Sequence, residues 1–301
     1  MSLAVILLNW HHERQTIRCA CTISAWREIK PCLYVVDNES TEATRRALTA
    51  GLGSASLICS PLNLGYAGGN NLGIRQALSA HCRYILLHNS DAEISEAGVI
   101  RLIARLQANP QISVLGPLMH ETRNGRSHLL AGGRNIACYP GTRTPMDPSD
   151  LKMLPGYPLF AVDYVPGTIL LARADTFTER GLLDEEYFFS GEIADFCKRV
   201  KDSGRGIYVD LEVEARHDCG QAPPTAREKL YVYYGFRNRF LYVTKHHTSE
   251  KTKYFAYWTL LGALAFVRAL ALGKLGKARA IMLALMHAYI GRYGNQNASF
   301  L

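Results

Sequence analysis

Apolar positions in this chain follow two rhythms: short unbroken runs, and longer stretches in which they recur at helical spacing. Residues 3–8 (Leu-Ala-Val-Ile-Leu-Leu) are continuous, as expected of a strand buried on both faces. A helical pattern follows over 13–28. Pro31 punctuates it, and residues 32–36 form a second buried run ending at Asp37. The same reasoning predicts helices over 41–50, 67–80 and 96–108 and strands over 55–59 and 84–87, with Pro110 as a stop signal. Strands alternating with helices imply right-handed crossovers and an α/β fold, Rossmann-like, with a mainly parallel sheet and flanking helices. Ligands of such sheets bind outside the carboxyl ends of the strands. The polar residues just after Leu8, Val36 and Leu87 therefore belong to the functional edge.

Residues 120–165 lack helical period and are richer in Gly, Pro and Arg, which predicts loops and short strands. Residues 162–172 read as a strand interrupted by Pro166-Gly167, 191–203 as a helix, and 206–209 as a short strand leading to His217. After Pro223-Pro224 the character changes. Tyr231, Tyr233, Tyr234, Phe236, Phe240 and Tyr242 interleave with Arg237, Arg239 and Lys245, and residues 254–272 are apolar except for Thr259 and Arg268. A membrane-spanning helix needs about 20 apolar residues, and Arg268 interrupts this one. A span and a buried hairpin both stay open, but an interfacial helix whose basic side chains reach lipid headgroups fits best. The expected organisation is a catalytic domain over 1–222 and a helical, membrane-surface region over 223–301.

Composition sharpens this division. The chain has 301 residues, 48% hydrophobic and 20% charged, which suits a full-sized core and excludes disorder. The net charge of +8 is uneven: residues 223–301 hold twelve Lys and Arg against two Asp and Glu, so they carry +10 and residues 1–222 carry −2. A basic, aromatic and apolar tail points to an anionic lipid surface, with no nucleic acid as partner. None of the eight cysteines forms a C-x-x-C pair, so reduced thiols of a cytoplasmic protein are expected. The opening apolar run is too short for a signal peptide and passes at once into Asn9-Trp-His-His12.

Candidate chemistry lies at the strand ends. Asp37, in Val35-Val-Asp-Asn-Glu-Ser-Thr41, suits a nucleotide base or ribose; a helix cap is the plainer role, but Ser40 or Thr41 would supply it more naturally. Asn63-Leu-Gly-Tyr-Ala-Gly-Gly-Asn-Asn-Leu-Gly73 is a Gly/Asn-rich turn opening a helix. It would allow close backbone approach to an anionic group, and it matches neither a dinucleotide nor a Walker motif. Asn89-Ser-Asp91 puts a carboxylate where Mg²⁺ or Mn²⁺ could be held against a diphosphate, or is an ordinary turn. Glu192 and Asp195, at i and i+3, share a helix face. One of them could accept a proton from a hydroxyl, or both could simply complement the helix dipole. His217 is a possible metal ligand or a structural histidine.

Taken in order, Ile6-Leu-Leu-Asn-Trp10, Val36-Asp-Asn-Glu-Ser40, Asn63-Leu-Gly-Tyr-Ala-Gly-Gly-Asn70, Asn89-Ser-Asp91, Gly191-Glu-Ile-Ala-Asp195, His217 and Tyr234-Gly-Phe-Arg-Asn238 resemble glycosyltransferase family 2, in its bacterial rhamnosyltransferase-like branch. The resemblance implies the GT-A fold and an inverting, metal-dependent transfer from a nucleotide-diphosphate sugar to a glycan or lipid-linked acceptor, at the inner face of the bacterial cell membrane, for cell-surface polysaccharide. It implies that Asp37 binds base or ribose, that Asn9, Asn63, Gly65, Gly69, Asn70 and Asn89 shape the nucleotide pocket, and that Asp91 with His217 holds the divalent cation. Asn89 stands where the family's metal motif has its first Asp. Ile193 stands where the family often has the second acid of its E-D-x-D helix, which leaves Glu192 as the expected base and Asp195 as its partner. A sugar nucleotidyltransferase is the rival enzyme class, although Asn9-Trp10-His11 replaces its usual Gly-rich basic loop. An RNA-binding module built on residues 231–245 is the non-catalytic rival.

Overall fold

The computed structural model describes residues 2–123, 126–138, 156–218 and 225–300. Its elements run β1 (Leu3–Asn9), α1 (Glu13–Ser24), β2 (Cys32–Asn38), α2 (Glu42–Gly51), β3 (Ser56–Ser60), α3 (Gly65–Ser79), β4 (Tyr84–His88), β5 (Ala92–Ile94), α4 (Glu96–Ala108), β6 (Ile112–Arg123), β7 (Arg126–Leu130), β8 (Leu159–Ala161), β9 (Ile169–Arg173), α5 (Ala174–Arg180), α6 (Glu192–Asp202), β10 (Gly206–Asp218), α7 (Thr225–His246), α8 (Lys251–Ala271) and α9 (Leu275–Tyr289). One sheet orders its strands β3-β2-β1-β4-β9-β6-β10-β5, with β7 beside β6 and β8 beside β10.

The sheet is parallel through β3-β2-β1-β4, as the alternation of strands and helices requires. Beyond β4 it is mixed. β9 runs antiparallel between β4 and β6, and β10 returns parallel to β6. The burial of β1 shows why its run of apolar residues is unbroken. Leu3, Val5 and Leu7 enter the core under α1 and α4, while Ala4 and Ile6 enter the opposite core under α3, α5 and α6.

The short strand β5 and helix α5 were not expected, and of the strand expected over 162–172 only Ile169–Arg173 forms. Of the loops and short strands expected over 120–165, residues 120–123 finish the twelve-residue strand β6, which pairs with the short strand β7. Gly116-Pro117 inside β6 hides it from a propensity reading. The glycine is required because a Cβ there would come within 2.2 Å of the Val165 side chain. β10 is also longer than predicted. Its register shifts between Asp210 and Glu214 allow it to continue as far as Asp218. The remainder of the Gly/Pro-rich middle (139–155), Cys219 and the 222/223 boundary lie outside the described residues; the seven described cysteines are free thiols.

Helices α7 to α9 form a further layer. Phe240, Trp258 and Ala288 join the three helices. Another cluster joins Tyr187 and Ala194 of the body to Leu241, Tyr242 and Val243 of α7, so apolar packing is continuous between α6 and α7.

Candidate active site

Strand register assembles the first half of the site. β4 ends at His88, and the chain turns through Asn89 and Asp91 into β5, with the Asn89 N–H on the Thr168 carbonyl at 2.9 Å. β5 pairs with β10 so that Ala92 faces His217, and β10 pairs with β6 so that His217 faces Glu121. A row of three side chains results. His217 Nε2 lies 3.3 Å from Asp91 Oδ1, and His217 Nδ1 lies 3.2 Å from Glu121 Oε1. Burial opposes charge on the imidazole, but the two carboxylates outweigh it and push His217 up to about 9. Asp91 keeps a fifth of its side chain open, whereas Glu121 is buried. Carboxylate oxygen and imidazole nitrogen thus converge, with the far ring nitrogen braced by a second acid, as metal-ligating histidines commonly are. Among the described residues no group of three His, Cys, Asp or Glu could hold a metal ion. Asp91 and His217 fit a cation whose other positions are filled by diphosphate oxygens or water, as is usual for Mg²⁺.

Glu192 opens α6 behind a turn of unusual backbone. Phe188, Ser190 and Gly191 have φ of 63°, 69° and 106°. Glu192 is 5% exposed, and among the described residues its buried Oε2 has no hydrogen-bond partner. Burial drives its carboxyl up to about 7; the helix-start N–H of Glu192 opposes the shift and Asp195 adds to it. A carboxyl near neutrality without a partner is what a general base needs.

Asp195 is different. Its Oδ1 accepts from the Tyr187 hydroxyl at 3.3 Å and pairs with His246 Nε2 at 2.7 Å, while Oδ2 accepts from Arg199 Nε at 2.9 Å. Burial raises its carboxyl, but His246 and Arg199 prevail and the net shift is downward. Asp195 thereby ties α6 to α7.

Tyr66 links the two halves. Its hydroxyl donates to the Gly167 carbonyl at 2.6 Å. Its phenol is raised above the ordinary value by burial and then by the charges of Glu192 and Asp91. Both acids therefore act on one side chain.

The nucleotide-side residues are more deeply set than the sequence implied. Asn9, opposite Asp37 in register, donates to Asp37 Oδ1 at 2.8 Å, and Thr44 donates to Oδ2 at 2.9 Å. Asp37 is 1% exposed and braces β1, β2 and α2. Thr41 caps α2 through its own side chain, so Asp37 is no cap. Gly69 is a packing glycine, since a Cβ there would come within 2.4 Å of Leu8. Asn70 bonds back to the Tyr66 carbonyl. Asn9, Gly69 and Asn70 are thus engaged with neighbouring protein groups at the carboxyl edge of β1 and β2. At the start of α3, Tyr66 N–H, at 2.7 Å, and Ala67 N–H both point to the Phe188 carbonyl. Gly65 (φ +71°) permits this approach, because a Cβ would fall 2.2 Å from that oxygen. Asn63 accepts from the Gly65 N–H and, at 3.2 Å, from Asn38 Nδ2.

Sequence reasoning missed Asn38, which bonds Leu64 N–H and the Gly65 carbonyl, and Asn71, which bonds Leu183 through both its oxygen and its nitrogen. It also missed Glu121. Asn38 and Asn71 stand inside motifs already singled out, so their side-chain type was the available signal; for Glu121 there was none.

The family model for "Glycosyl transferase family 2" matches residues 23–154. The chain is 26% identical over 248 residues to the low-salt glycan biosynthesis hexosyltransferase Agl10 of Haloferax volcanii, covering 79% of this chain and 74% of that protein. It is 22% identical over 289 residues to the N-acetylglucosaminyl-diphospho-decaprenol L-rhamnosyltransferase of Mycobacterium tuberculosis, covering 87% and 90%. In fold it is similar to GalNAc-T7 solved with UDP, GalNAc and Mn²⁺, at a TM-score of 0.58 and 13% identity; the match covers 79% of this chain and spans about half, 49%, of the other. The nucleotidyltransferase and RNA-binding readings are not favoured by these likenesses. Residues 23–154 thus match glycosyltransferase family 2, and the mixed α/β sheet has the GT-A architecture of the solved transferases it resembles.

Proposed function

We propose that this enzyme moves a sugar, rhamnose in the first instance, from a nucleotide-diphosphate donor to a glycan or lipid-linked acceptor with inversion at the anomeric carbon. The observation that supports this reading is a buried Glu192 whose Oε2 has no partner among the described residues, in a chain that also sets Asp91 against His217, with the charges of both acids acting on Tyr66. Glu192 takes the proton of the acceptor hydroxyl as its oxygen attacks. The sugar then passes through an oxocarbenium-like state, as in glycoside hydrolysis. Asp91 and His217 would hold the divalent cation, Mg²⁺ or Mn²⁺, with His217 giving up its proton to ligate and Glu121 keeping the ring in place. Bound there, the cation supplies positive charge against the departing diphosphate. One base suffices, because the leaving group needs no proton from the protein. The rhamnosyl assignment draws on the mycobacterial relative, whose acceptor is a decaprenol-linked sugar by name. Calorimetric titration of UDP, GDP and dTDP, each with Mn²⁺ or Mg²⁺, is expected to select dTDP and to lose binding with chelator. Equal binding of all three with chelator present would overturn the metal and the donor together.

We place the enzyme against the inner face of the cell membrane through α8 and α9. Leu260, Leu264, Val267, Leu275 and Met282 point outward, 51 to 68% exposed, next to Arg268, Lys274 and Arg279. The helix over Thr248–Ala271 is long and apolar enough to cross a membrane. Its inner side is nonetheless engaged by protein: Trp258 donates to the Ala137 carbonyl, and Gly262 sits where a Cβ would come within 2.9 Å of Leu285. That arrangement favours lying in the headgroup layer over spanning. In flotation, phosphatidylglycerol vesicles are expected to carry the protein and phosphatidylcholine vesicles to carry much less, with Leu264→Asp plus Val267→Asp abolishing it. Failure of wild type to float with anionic vesicles would refute the placement.

A further inference from the structure

The 186–191 turn that carries Glu192 is strained. Non-glycine residues at positive φ cost on the order of 1–3 kcal/mol each and persist only where their surroundings hold them; Phe188 and Ser190 are two such residues in three positions. What holds them comes from α7. Asn238, 2% exposed, donates through Nδ2 to the carbonyls of Tyr187 at 3.0 Å, Phe189 at 2.9 Å and Ser190 at 2.5 Å. Arg237, fully buried, donates through Nη2 to the carbonyls of Glu186 at 3.1 Å and Tyr187 at 3.0 Å. Its Nε fixes the Asn238 oxygen at 2.8 Å, which leaves the Asn238 amide nitrogen facing the turn, and its Nη1 reaches the Gly294 carbonyl at 2.6 Å. The guanidinium lies over the Tyr234 ring, 4.7 Å from its centre. A buried cation surrounded by carbonyl oxygens and aromatic faces is directional: each N–H sets the place of one carbonyl.

We propose that Arg237 and Asn238 are positioning residues for the transfer, holding the turn in the conformation that sets Glu192 at the start of α6. Residues 225–300 are then part of the catalytic unit as well as its membrane contact. The inference rests on Glu192 being the base. α3 supplies the opposite jaw through Tyr66 N–H on the Phe188 carbonyl, so the turn is gripped from both sides.

Asn238→Asp is the sharpest test, because it keeps shape but presents carboxylate oxygen to three carbonyls. Turnover is read as nucleoside diphosphate released from whichever UDP-, GDP- or dTDP-sugar the wild type accepts, and binding by calorimetry with the corresponding nucleoside diphosphate and Mn²⁺. The expected result is a fall in kcat of about 100-fold with nucleotide Kd within threefold of wild type, in line with the sensitivity of rates to small misplacements. In the Glu192→Gln background the same change is expected to add less than threefold, since both act through one group. If Asn238→Asp does not fold, Arg237→Lys, which keeps the charge but gathers its donors on one nitrogen, takes its place with a smaller loss of the same kind. Near-normal kcat in Asn238→Asp while Glu192→Gln is inactive would overturn the clamp and leave the base standing. Near-normal kcat in both would overturn the base. Parallel loss of kcat and nucleotide binding, or full additivity with Glu192→Gln, would also overturn the clamp in favour of a general structural role.

Discussion

Glu192→Gln is expected to lower kcat by about 10²- to 10⁴-fold, the range a positioned general base contributes, without weakening nucleotide binding. The same change should stabilise the protein. Burial holds the Glu192 carboxyl at about 7 in the folded state, above its ordinary value of 4.5. The folded protein therefore binds this proton more tightly than the unfolded chain. The stability that the neutral carboxyl allows is fully present below pH 4.5 and is lost as pH rises through about 7. Glutamine, always neutral, escapes that loss, which amounts to roughly 3 kcal/mol at one pKa unit per 1.36 kcal/mol. Thermal melts should show Glu192→Gln several degrees above wild type at pH 8 and level with it at pH 4.5. Wild-type kcat should fall on the acid side of about pH 7 as the base takes up its proton. A variant that keeps its turnover, or that melts below wild type at pH 8, would remove Glu192 from the role assigned to it.

Asp91→Asn is expected to lose cation-dependent nucleotide binding by about 100-fold or more, because a hard divalent ion loses its one anionic protein ligand. The effect should vanish when binding is measured with chelator, where wild type and variant become alike. Glu121→Gln should weaken metal affinity by about 10- to 100-fold, the usual penalty for removing the partner that orients a ligating histidine. Its readout is Mn²⁺ affinity by electron paramagnetic resonance. The order matters: Asp91→Asn more severe than Glu121→Gln. Equal Mn²⁺ affinity in all three proteins would place the cation elsewhere.

The first 108 residues were readable because their signals are local. β1, β2 and β4 are short apolar runs, and α2 and α4 have Thr41 and Ser95 as caps, so the carboxyl edge with Asp37 and Asp91 followed directly; β5, three residues with Glu93 at its centre, gave no such signal. What lay beyond reading depends on pairings between distant segments. Glu121 becomes part of the site only through the register of β6 on β10, 96 residues away, and Gly116-Pro117 obscures the strand that carries it. Glu192 and Asp195 look alike in sequence. His246, 51 residues on, takes up one and leaves the other open, which no spacing rule foresees. The glycines misled in a different way. Gly65 and Gly69 permit close approach, as glycine does, but the approaching groups are the Phe188 carbonyl and the Leu8 side chain, not a phosphate.

The grip of α7 on the 186–191 turn has a consequence during synthesis. The Asp91–His217 row is complete once residue 217 has left the ribosome, but the Gly294 carbonyl that anchors Arg237 emerges about a hundred residues after Glu192. At translation rates of roughly 5–20 residues per second, a nascent chain with its donor-side half already formed would wait on the order of ten seconds before its base is set.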